Sequence, residues 1–407
     1  MNSRRVVVTG IGIISALGKD RKAFQDAIFS GRSGIDEMTI PEVSELRFKK
    51  GAQIRGFVEK EYFEEKQLML LDRFAQFALV AAREAIEGSG ITWETRSERQ
   101  RTAIITGTGT GGQVNQDEVY IDIYKREKKR LHPLIVPRVM SNAGASHISM
   151  EFGITGPTYT ITTACSSASH AIGQAFWSVR NGLVDRAITG GSETPFGFAN
   201  LKAWEGMRVV SPDTCRPFCR DRSGMILGEG GAMLFLETLE SARKRGAEIY
   251  AEIVGFGMSA DAHHITQPSE EGAAEAIRFA LEDGKTNPEE IGYINAHGTA
   301  TQANDVMETE AIRQVFGDQA KRLAVSSTKS MHGHTLGAAG AIEAVATVLA
   351  LKNGVLPPTA NFTEADPECD LDYIPNEARE VKVEAALSNS FAFGGLNAVL
   401  AFKRFHG

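Results

Sequence analysis

Cys165 is the residue whose type and place best suit covalent catalysis. It lies in TTACSS, 162–167, where a predicted buried strand gives way to a helical stretch that runs to about Asn181. A helix N-terminus presents free N–H groups and partial positive charge, and both favour the thiolate over the thiol. The alternative is an unreactive cysteine that packs as a small hydrophobic residue. The position therefore predicts a nucleophile, provided that other reactive groups meet it.

Two histidines lie in segments that would bring them to the same edge of a sheet. His297 stands in NAHGTAT, 295–301, directly after a predicted strand, and active sites gather at the carboxyl ends of parallel strands. His334 stands in STKSMHGHTLGAAG, 327–340, a glycine-rich loop that also holds Lys329 and leads into an apolar helix. Either histidine alone would more often be structural.

A fourth segment, SNSFAFGGLN at 388–397, places Phe393 ahead of a double glycine, which lets a backbone approach a ligand closely. Together the four segments supply a soft nucleophile, hydrogen-bond donors for an oxyanion, and a cation. That combination suits covalent thioester chemistry.

The elements that must position these groups follow an alternating pattern. Short β-branched runs that end in glycine predict strands, and apolar residues at i, i+3 and i+4 predict helices between them. The apolar helix at 338–352 should be buried nearly all round. The alternation indicates an α/β fold with substantial parallel sheet. The predicted strands are Arg5–Thr9, which should enter a glycine turn, Thr102–Thr106, Arg186–Thr189, Ile249–Val254, Ile291–Ala296, Leu323–Ser326 and Ala398–Phe402, and the other helices are 72–87 and 272–282.

The composition of the 407 residues is that of an ordinary globular protein, with a net charge of -7. Binding nucleic acid needs a surplus of lysine and arginine, so a nucleic-acid partner is not expected. The four cysteines do not make a disulfide framework, which favours a reduced, cytoplasmic setting. No apolar run approaches the roughly 20 residues that span a bilayer, so no membrane association is expected.

Across nearly its whole length, the chain resembles the elongating β-ketoacyl-acyl carrier protein synthases of types I and II, with type II the closer match. The family implies a thiolase-like fold, with two similar halves in five layers α-β-α-β-α, and a homodimer. The softest boundary divides the chain into 1–247, with the cysteine, and 248–407, with the histidines and the lysine. The matching segments are RVVVTGIGIIS (5–15), SGRSGI (30–35), TTACSS, RPFCRDRSGMILGEG (216–230), NAHGTAT, STKSMHGHTLGAAG and SNSFAFGG.

The resemblance also implies a role for each site residue. Cys165 would accept the growing acyl chain as a thioester, while His297 and His334 would promote malonyl decarboxylation and stabilise the enolate. Lys329 and Glu308 would form an ion pair that orders the site, with Asp305 in the same network. The N–H of Phe393 would join that of Cys165 in the oxyanion hole, and its ring would gate the acyl pocket. Thr299 and Thr301 would contact the phosphopantetheine arm, and Thr110 and Trp204 would lie along the acyl channel.

The expected reaction is the decarboxylative Claisen condensation of a Cys165-bound acyl chain with malonyl-acyl carrier protein in fatty acid elongation. Two imidazole N–H donors in a water-poor pocket would hold the enolate oxygen. The reaction needs no metal, flavin or nicotinamide, and acyl carrier protein is the expected partner. The basic stretch KREKKR, 125–130, is a candidate surface for that acidic partner. The alternative is an ordinary solvated face.

Several positions depart from the family's pattern without touching the chemistry. Trp204 replaces a smaller phenylalanine that often lines the channel, which predicts a preference for short to medium acyl chains. Thr110 stands at a channel position that differs between types I and II and should not close the channel by itself. The other departures are Leu396 for threonine, Val306 at a position often lysine, and Cys219 for an acidic residue. Acyl-chain length, type and pathway stay open.

Four other interpretations stay open on the sequence. A ketosynthase of a type II polyketide or aryl-polyene pathway would share the same catalytic residues. A thiolase would need a second catalytic cysteine in the C-terminal half, and Cys369 has no matching motif. Gly107, Gly109 and Gly112 satisfy the G-x-G-x-x-G of a dinucleotide-binding module, although no acidic residue follows at the right distance. A zinc site from the His-x-His at 332–334 and a cysteine would have poor ligand spacing.

Overall fold

Strands and helices alternate along residues 4–407, the part of the chain that this computed structural model describes. The strands are β1 Val6–Ser15, β2 Asp36–Glu37, β3 Lys50–Gly51, β4 Thr102–Gly107, β5 Thr158–Ile161, β6 Arg186–Glu193, β7 Gly230–Thr238, β8 Ala251–Ala260, β9 Ile291–Asn295, β10 Ala324–Ser326, β11 Val355–Leu356, β12 Arg379–Glu380, β13 Ala385–Ala392 and β14 Leu396–Lys403. The helices are α1 Arg21–Phe29, α2 Glu65–Leu68, α3 Arg73–Ser89, α4 Arg96–Gln100, α5 Gln113–Tyr124, α6 Ile135–Val139, α7 Ala143–Phe152, α8 Ser167–Arg180, α9 Phe198–Met207, α10 Leu239–Lys244, α11 Glu270–Gly284, α12 Gln302–Phe316, α13 Lys329–His332 and α14 Ala339–Asn353.

The two halves of the chain repeat one strand order. The first half forms the order β1-β7-β6-β4-β5, and the second forms β8-β14-β13-β9-β10. In both halves the first three strands pair antiparallel and the outer three pair parallel. β1 also pairs with β8, so the two sets join into one ten-stranded sheet within residues 4–407. The predicted pair of similar halves is confirmed.

Five layers follow from where the long helices pack. α3 covers β1 and β7 on one outer face, and α11 covers β8 and β14 on the other. Between the two sets of strands lie α8 and α14, each of which contacts strands of both halves. Helices on both faces of a mixed sheet are the expected solution for an α/β chain. The order α-β-α-β-α is therefore confirmed.

The boundary between the halves falls in a short connection. α10 ends at Lys244, and β8 begins at Ala251 with the second set of strands. We propose that the chain divides here into the units 1–247 and 248–407, as the charged segment at 240–248 predicts.

The first strand is longer than the sequence predicts. β1 runs through Gly10 and Gly12 to Ser15, so the predicted glycine turn after Thr9 is wrong. A Cβ atom at Gly10 would lie 2.0 Å from the carbonyl oxygen of Ala85, and one at Gly12 would lie 1.9 Å from that of Ala81. The absence of a side chain at both glycines therefore lets β1 pack closely against α3. The two residues serve helix packing within an extended strand and do not form a turn.

The apolar helix α14 is buried on every side, as its composition predicts. Residues Leu336–Asn353 are long and apolar enough to cross a membrane, but 89% of that segment is buried inside the protein. One acidic residue, Glu343, lies in the middle of the helix with no exposed surface. Its partner lies in the site described next.

Candidate active site

Cys165 lies in a tight turn between β5 and α8. Ala164 before it has a φ of +51°, a left-handed conformation that non-glycine residues seldom adopt. The turn Ala164–Ser166 runs directly into α8, so the predicted position at a helix start is where the structure places the cysteine. The side chain is 7% exposed, and its Sγ lies 3.1 Å from Nε2 of His334.

Burial controls the charge of this thiol. Burial, with smaller contributions from the carboxylates of Glu193 and Glu343, raises the pKa of Cys165 to about 11. The ammonium of Lys329 and the backbone N–H of Phe393 lower the pKa but do not compensate. Desolvation therefore opposes the thiolate that the helix start is expected to favour. The thiol needs a base, and His334 is within hydrogen-bond reach.

His297 is presented by the end of β9. Its backbone N–H and that of Gly298 each donate to the Glu308 carboxylate at 2.8 Å. Its Nδ1 lies 3.3 Å from Nζ of Lys329, which can only donate, so Nδ1 accepts and Nε2 carries the proton. Burial and the Lys329 charge hold the pKa of His297 well below its usual range. His297 is therefore a neutral imidazole with an N–H group to offer.

The ion pair of Lys329 differs from the predicted one. Lys329 pairs with Glu343 of α14, and both side chains are fully buried. Glu308, the predicted partner, instead accepts hydrogen bonds from backbone N–H groups and from Nδ2 of Asn389 at 3.1 Å. A carboxylate whose lone pairs take backbone donors does not need the ammonium. Burial raises the pKa of Glu343 to about 7, which the ammonium opposes.

Asp305 supports the same segment from the other side. Its carboxylate accepts from the backbone N–H of Phe218 at 2.8 Å and of Ala300 at 3.2 Å. Burial raises its pKa to about 6 against these hydrogen bonds and the nearby Arg222 guanidinium. Arg222 in turn donates from Nε to the carbonyl oxygen of Thr301 at 3.2 Å. These groups fix the backbone that follows His297.

His334 is held by its backbone. Its N–H donates to the carbonyl oxygen of Ile226 at 2.6 Å, and its carbonyl oxygen accepts from the N–H of Gly228 at 2.9 Å. Its ring and that of His297 meet edge to face with centroids 5.4 Å apart. Burial and the Lys329 charge hold the pKa of His334 well below its usual range.

Metal binding was one possibility for the histidines. The ring of His332 turns away, with Nε2 3.0 Å from the Thr328 hydroxyl. The ligand atoms of Cys165, His297 and His334 do lie within 4.8 Å of one another. The ammonium of Lys329 beside His297 opposes the addition of a further cation at this point.

A cavity of about 520 Å³ leads from the surface to these side chains. Thr299 and Thr301 line it, with their hydroxyl oxygens 2.9 Å apart. Ile265 and Arg208 lie along the same cavity, and Phe393 lines it beside the double glycine. The predicted positions of the two threonines and Phe393 are therefore in reach of a ligand that enters toward Cys165.

Two predicted channel residues lie outside this cavity. Trp204 stacks on Phe393 with ring centroids 6.2 Å apart and 24° between planes, and it packs in an apolar cluster with Met225 and Leu336. Thr110 is exposed in the single chain, and its hydroxyl donates to Glu193 at 2.8 Å. Neither lines the path to Cys165. Phe393 separates the cavity from the cluster that holds Trp204.

The glycine motif at 107–112 serves packing. A Cβ atom at Gly107 would lie 2.4 Å from the backbone nitrogen of Ala168 in α8. The N–H of Gly109 donates to the Glu193 carboxylate, so a side chain occupies the place that a phosphate would need. This arrangement argues against the dinucleotide-binding alternative.

Sequence analysis missed three buried residues of the site: Glu343, Glu193 and Asn389. A lone acidic residue in the apolar helix 338–352 was the available signal for Glu343. The sequence held no comparable signal for Glu193 or Asn389.

Comparison with known proteins decides the family. The sequence models for the N-terminal and C-terminal domains of β-ketoacyl synthase match residues 3–242 and 250–363. The chain belongs to the β-ketoacyl synthase family. The synthase accordingly has the thiolase-like fold and is a decarboxylating, condensing acyltransferase, as predicted.

Relatives cover the synthase from end to end. It is 47% identical to Nodulation protein E of Rhizobium sp. (strain N33), over 98% of this chain and 99% of that protein. It is 41% identical to 3-oxoacyl-[acyl-carrier-protein] synthase 2 of Synechocystis sp., over 100% of this chain and 99% of that protein. A solved structure titled the ishigamide ketosynthase/chain length factor matches with a TM-score of 0.94 and 36% identity, covering 99% of this chain and 100% of that one.

Proposed function

We propose that the synthase elongates an acyl chain held on Cys165 with two carbons from malonyl-acyl carrier protein, in fatty acid synthesis. The observation that carries this proposal is the 3.1 Å contact between the Cys165 sulfur and Nε2 of His334 at the inner end of the cavity. His297 lies beside them with its N–H available.

Loading begins with proton transfer from the Cys165 thiol to His334. The sulfur attacks the thioester carbonyl of the acyl-carrier protein, and the carbonyl oxygen becomes an oxyanion. The N–H groups of Phe393 and Cys165 are the proposed donors to that oxyanion. Collapse breaks the bond to the carrier's sulfur, which leaves with the proton from His334. The acyl group then remains on Cys165.

Condensation uses the two imidazoles as donors. When the malonyl thioester loses carbon dioxide, the electron pair of the broken C–C bond moves into an enolate, whose oxygen accepts hydrogen bonds from the Nε2–H groups of His297 and His334. His334 can donate there because acylation has removed the thiol from its Nε2, and Nδ1, which has no hydrogen-bond partner within residues 4–407, releases its proton for exchange to Nε2. Lys329 holds Nδ1 of His297 and so keeps the proton on Nε2. The enolate carbon then attacks the acyl-Cys165 carbonyl, and the C–S bond breaks. The departing sulfur takes up one proton from water, so the products are a β-ketoacyl chain on the carrier and the Cys165 thiol.

Acyl carrier protein is the proposed partner, and the basic stretch at 125–130 is its proposed docking surface. Within that stretch Arg126 pairs with Glu118 and Asp122, and Lys128 pairs with Asp122. The charges that remain for an acidic partner are therefore those of Lys125, Lys129 and Arg130.

Reversing these three charges to glutamate should raise the KM for the carrier substrate at least tenfold at low salt, because steering and docking lose three attractive charges. The reaction with a small-molecule thioester should not change. A matched control reverses three exposed charges elsewhere, Lys285, Lys321 and Arg322. Equal losses on both substrates would show that the stretch supports folding and not docking.

We propose that two copies form a homodimer along β5. Within residues 4–407, β5 is one of the two end strands of the ten-stranded sheet, and Tyr159 on it is 41% exposed. An uncovered sheet edge that carries an exposed aromatic side chain is typical of a surface that pairs with another chain. A single-chain mass in sedimentation equilibrium would contradict this.

The acyl chain would lie beyond Phe393, in the cluster that contains Trp204. Trp204→Ala should remove the ring that stacks on Phe393, and relax a preference for short to medium chains toward longer ones. A misfit methylene costs on the order of 1–3 kcal/mol in an apolar pocket. The measurement is kcat/KM over a series of acyl-carrier substrates, with mass spectrometry to place the acyl group on Cys165.

Trp93→Phe is the matched control, because Trp93 packs in a different apolar cluster and donates to Thr102. If Trp204→Ala leaves the chain-length profile unchanged, the ring has no part in selecting the acyl chain. The same series separates fatty acid elongation from the second candidate, a polyketide-type ketosynthase, which the match to the ishigamide protein favours. That candidate predicts better turnover with polyketide or polyene chains than with saturated ones.

The cytoplasm is the proposed setting. All four cysteines are buried and free of disulfides, which fits a reducing compartment.

A further inference from the structure

Glu193 is a fully buried carboxylate that the proposed reaction does not use. It is the last residue of β6, and its exposed fraction is 0%. Removing a charged group from water is costly unless hydrogen bonds replace the lost hydration. Its hydrogen bonds therefore show what the residue holds in place.

The carboxylate joins two segments that are far apart in sequence. It accepts hydrogen bonds from the loop after β4, namely from the N–H of Gly109 and from the hydroxyls of Thr108 and Thr110. It also accepts from the N–H of Gly337 at 3.1 Å. Gly337 lies in the turn Leu336–Ala338, which connects His334 to α14.

Glycines make room for this contact. A Cβ atom at Gly337 would lie 2.1 Å from the backbone nitrogen of Gly109, and one at Gly109 would lie 2.8 Å from a Glu193 oxygen. A side chain at 337 would push the turn away from the loop, and one at 109 would displace the Glu193 carboxylate. The two glycines therefore allow the loop and the turn to come close enough to share the Glu193 carboxylate.

We propose that Glu193 is a positioning residue for His334. By fixing Gly337 to the 108–110 loop, the carboxylate holds the turn that follows His334. It thereby keeps Nε2 of His334 in reach of Cys165. Since His297 is held separately by Glu308 and Lys329, Glu193 should not act on His297. The inference rests on the proposed role of His334.

The test is a set of double-mutant cycles on malonyl-carrier decarboxylation. Glu193→Gln replaces one acceptor oxygen with an amide donor, and should lower the rate about tenfold in the wild-type background. The factor should shrink to less than about twofold in a His334→Ala background, because the residue being positioned is gone. In a His297→Ala background the full factor of about ten should persist.

Thr108→Val is a milder second variant, since it removes one donor to Glu193 and keeps the shape of the side chain. It should lower the decarboxylation rate about threefold in the wild-type and His297→Ala backgrounds, and much less in the His334→Ala background. Glu237→Gln, at an equally buried carboxylate bonded to Thr9 and Ser241, is the control and should leave the rate unchanged.

Losses that are equal in all three backgrounds would overturn the positioning role. A wild-type rate in His334→Ala alone would instead overturn the proposed function, and the inference with it.

Discussion

Cys165→Ala should abolish acyl loading and condensation while the protein stays folded. The thiol is the only group at the inner end of the cavity, among the described residues, that can form the thioester. The substitution removes a single sulfur atom from a side chain that is 7% exposed, so the cavity it leaves is small and the fold should survive. The expected result is a chain that unfolds near the wild-type temperature and gains no acyl mass after incubation with acyl-carrier protein.

Cys369→Ala is the matched control, because this cysteine is also buried and free. It should load and condense as the wild type does. Acyl mass on Cys215, Cys219 or Cys369 in the Cys165→Ala protein would show that the nucleophile has been assigned to the wrong residue.

His297→Ala and His334→Ala should each lower malonyl-carrier decarboxylation about 10²–10³-fold, because each removes one donor to the enolate oxygen. Their loading rates should differ. His334 contacts the Cys165 sulfur, whereas His297 contacts Lys329, so only His334→Ala should also slow acyl loading. Single-turnover acylation and carbon dioxide release, measured separately, give the two rates.

The pH dependence of acyl loading in His334→Ala provides a second test of whether His334 is the base for Cys165. With the Cys165 pKa raised to about 11, only about 10⁻⁴ of the thiol is ionised at pH 7. Without its base, loading should rise about tenfold per pH unit as the thiolate fraction grows. His332→Gln, a change at the neighbouring buried histidine that keeps a hydrogen-bond partner for Thr328, should leave the loading and decarboxylation rates near wild type. If the decarboxylation rate of His297→Ala or His334→Ala falls less than tenfold, that histidine has a structural role and does not donate to the enolate.

Much of the fold could be read from local patterns. Runs such as Thr102–Thr106 and the apolar helix at 338–352 became strands and helices within one or two residues of the predicted ends. β7 and β13 were not predicted, although they lie inside the sheet. The repeated strand order leaves no visible repeat in the sequence, because backbone pairing and not side-chain identity defines it.

The site residues could be named from motifs, but their pairing could not. Glu308 and Glu343 are both buried acidic residues on helices, and nothing local tells which one faces Lys329. That choice depends on α14 running through the centre of the protein. The pKa of Cys165 could not be judged from the sequence for a similar reason. A helix start is a local feature, whereas the desolvation that raises this pKa comes from the whole fold.

The repeated topology has a consequence for the division of labour in catalysis. Cys165 lies in the connection from β5 to α8, and His334 lies in the equivalent connection of the second half, from β10 to α14. One half thus contributes the nucleophile, the other its base, and neither half is a catalyst alone. The two helices meet where Gly340 leaves no space, as a Cβ atom there would lie 2.1 Å from the Ser169 hydroxyl. A larger side chain at position 340 would therefore push α8 and α14 apart. It would separate the Cys165 thiol from His334 while every catalytic side chain remained intact.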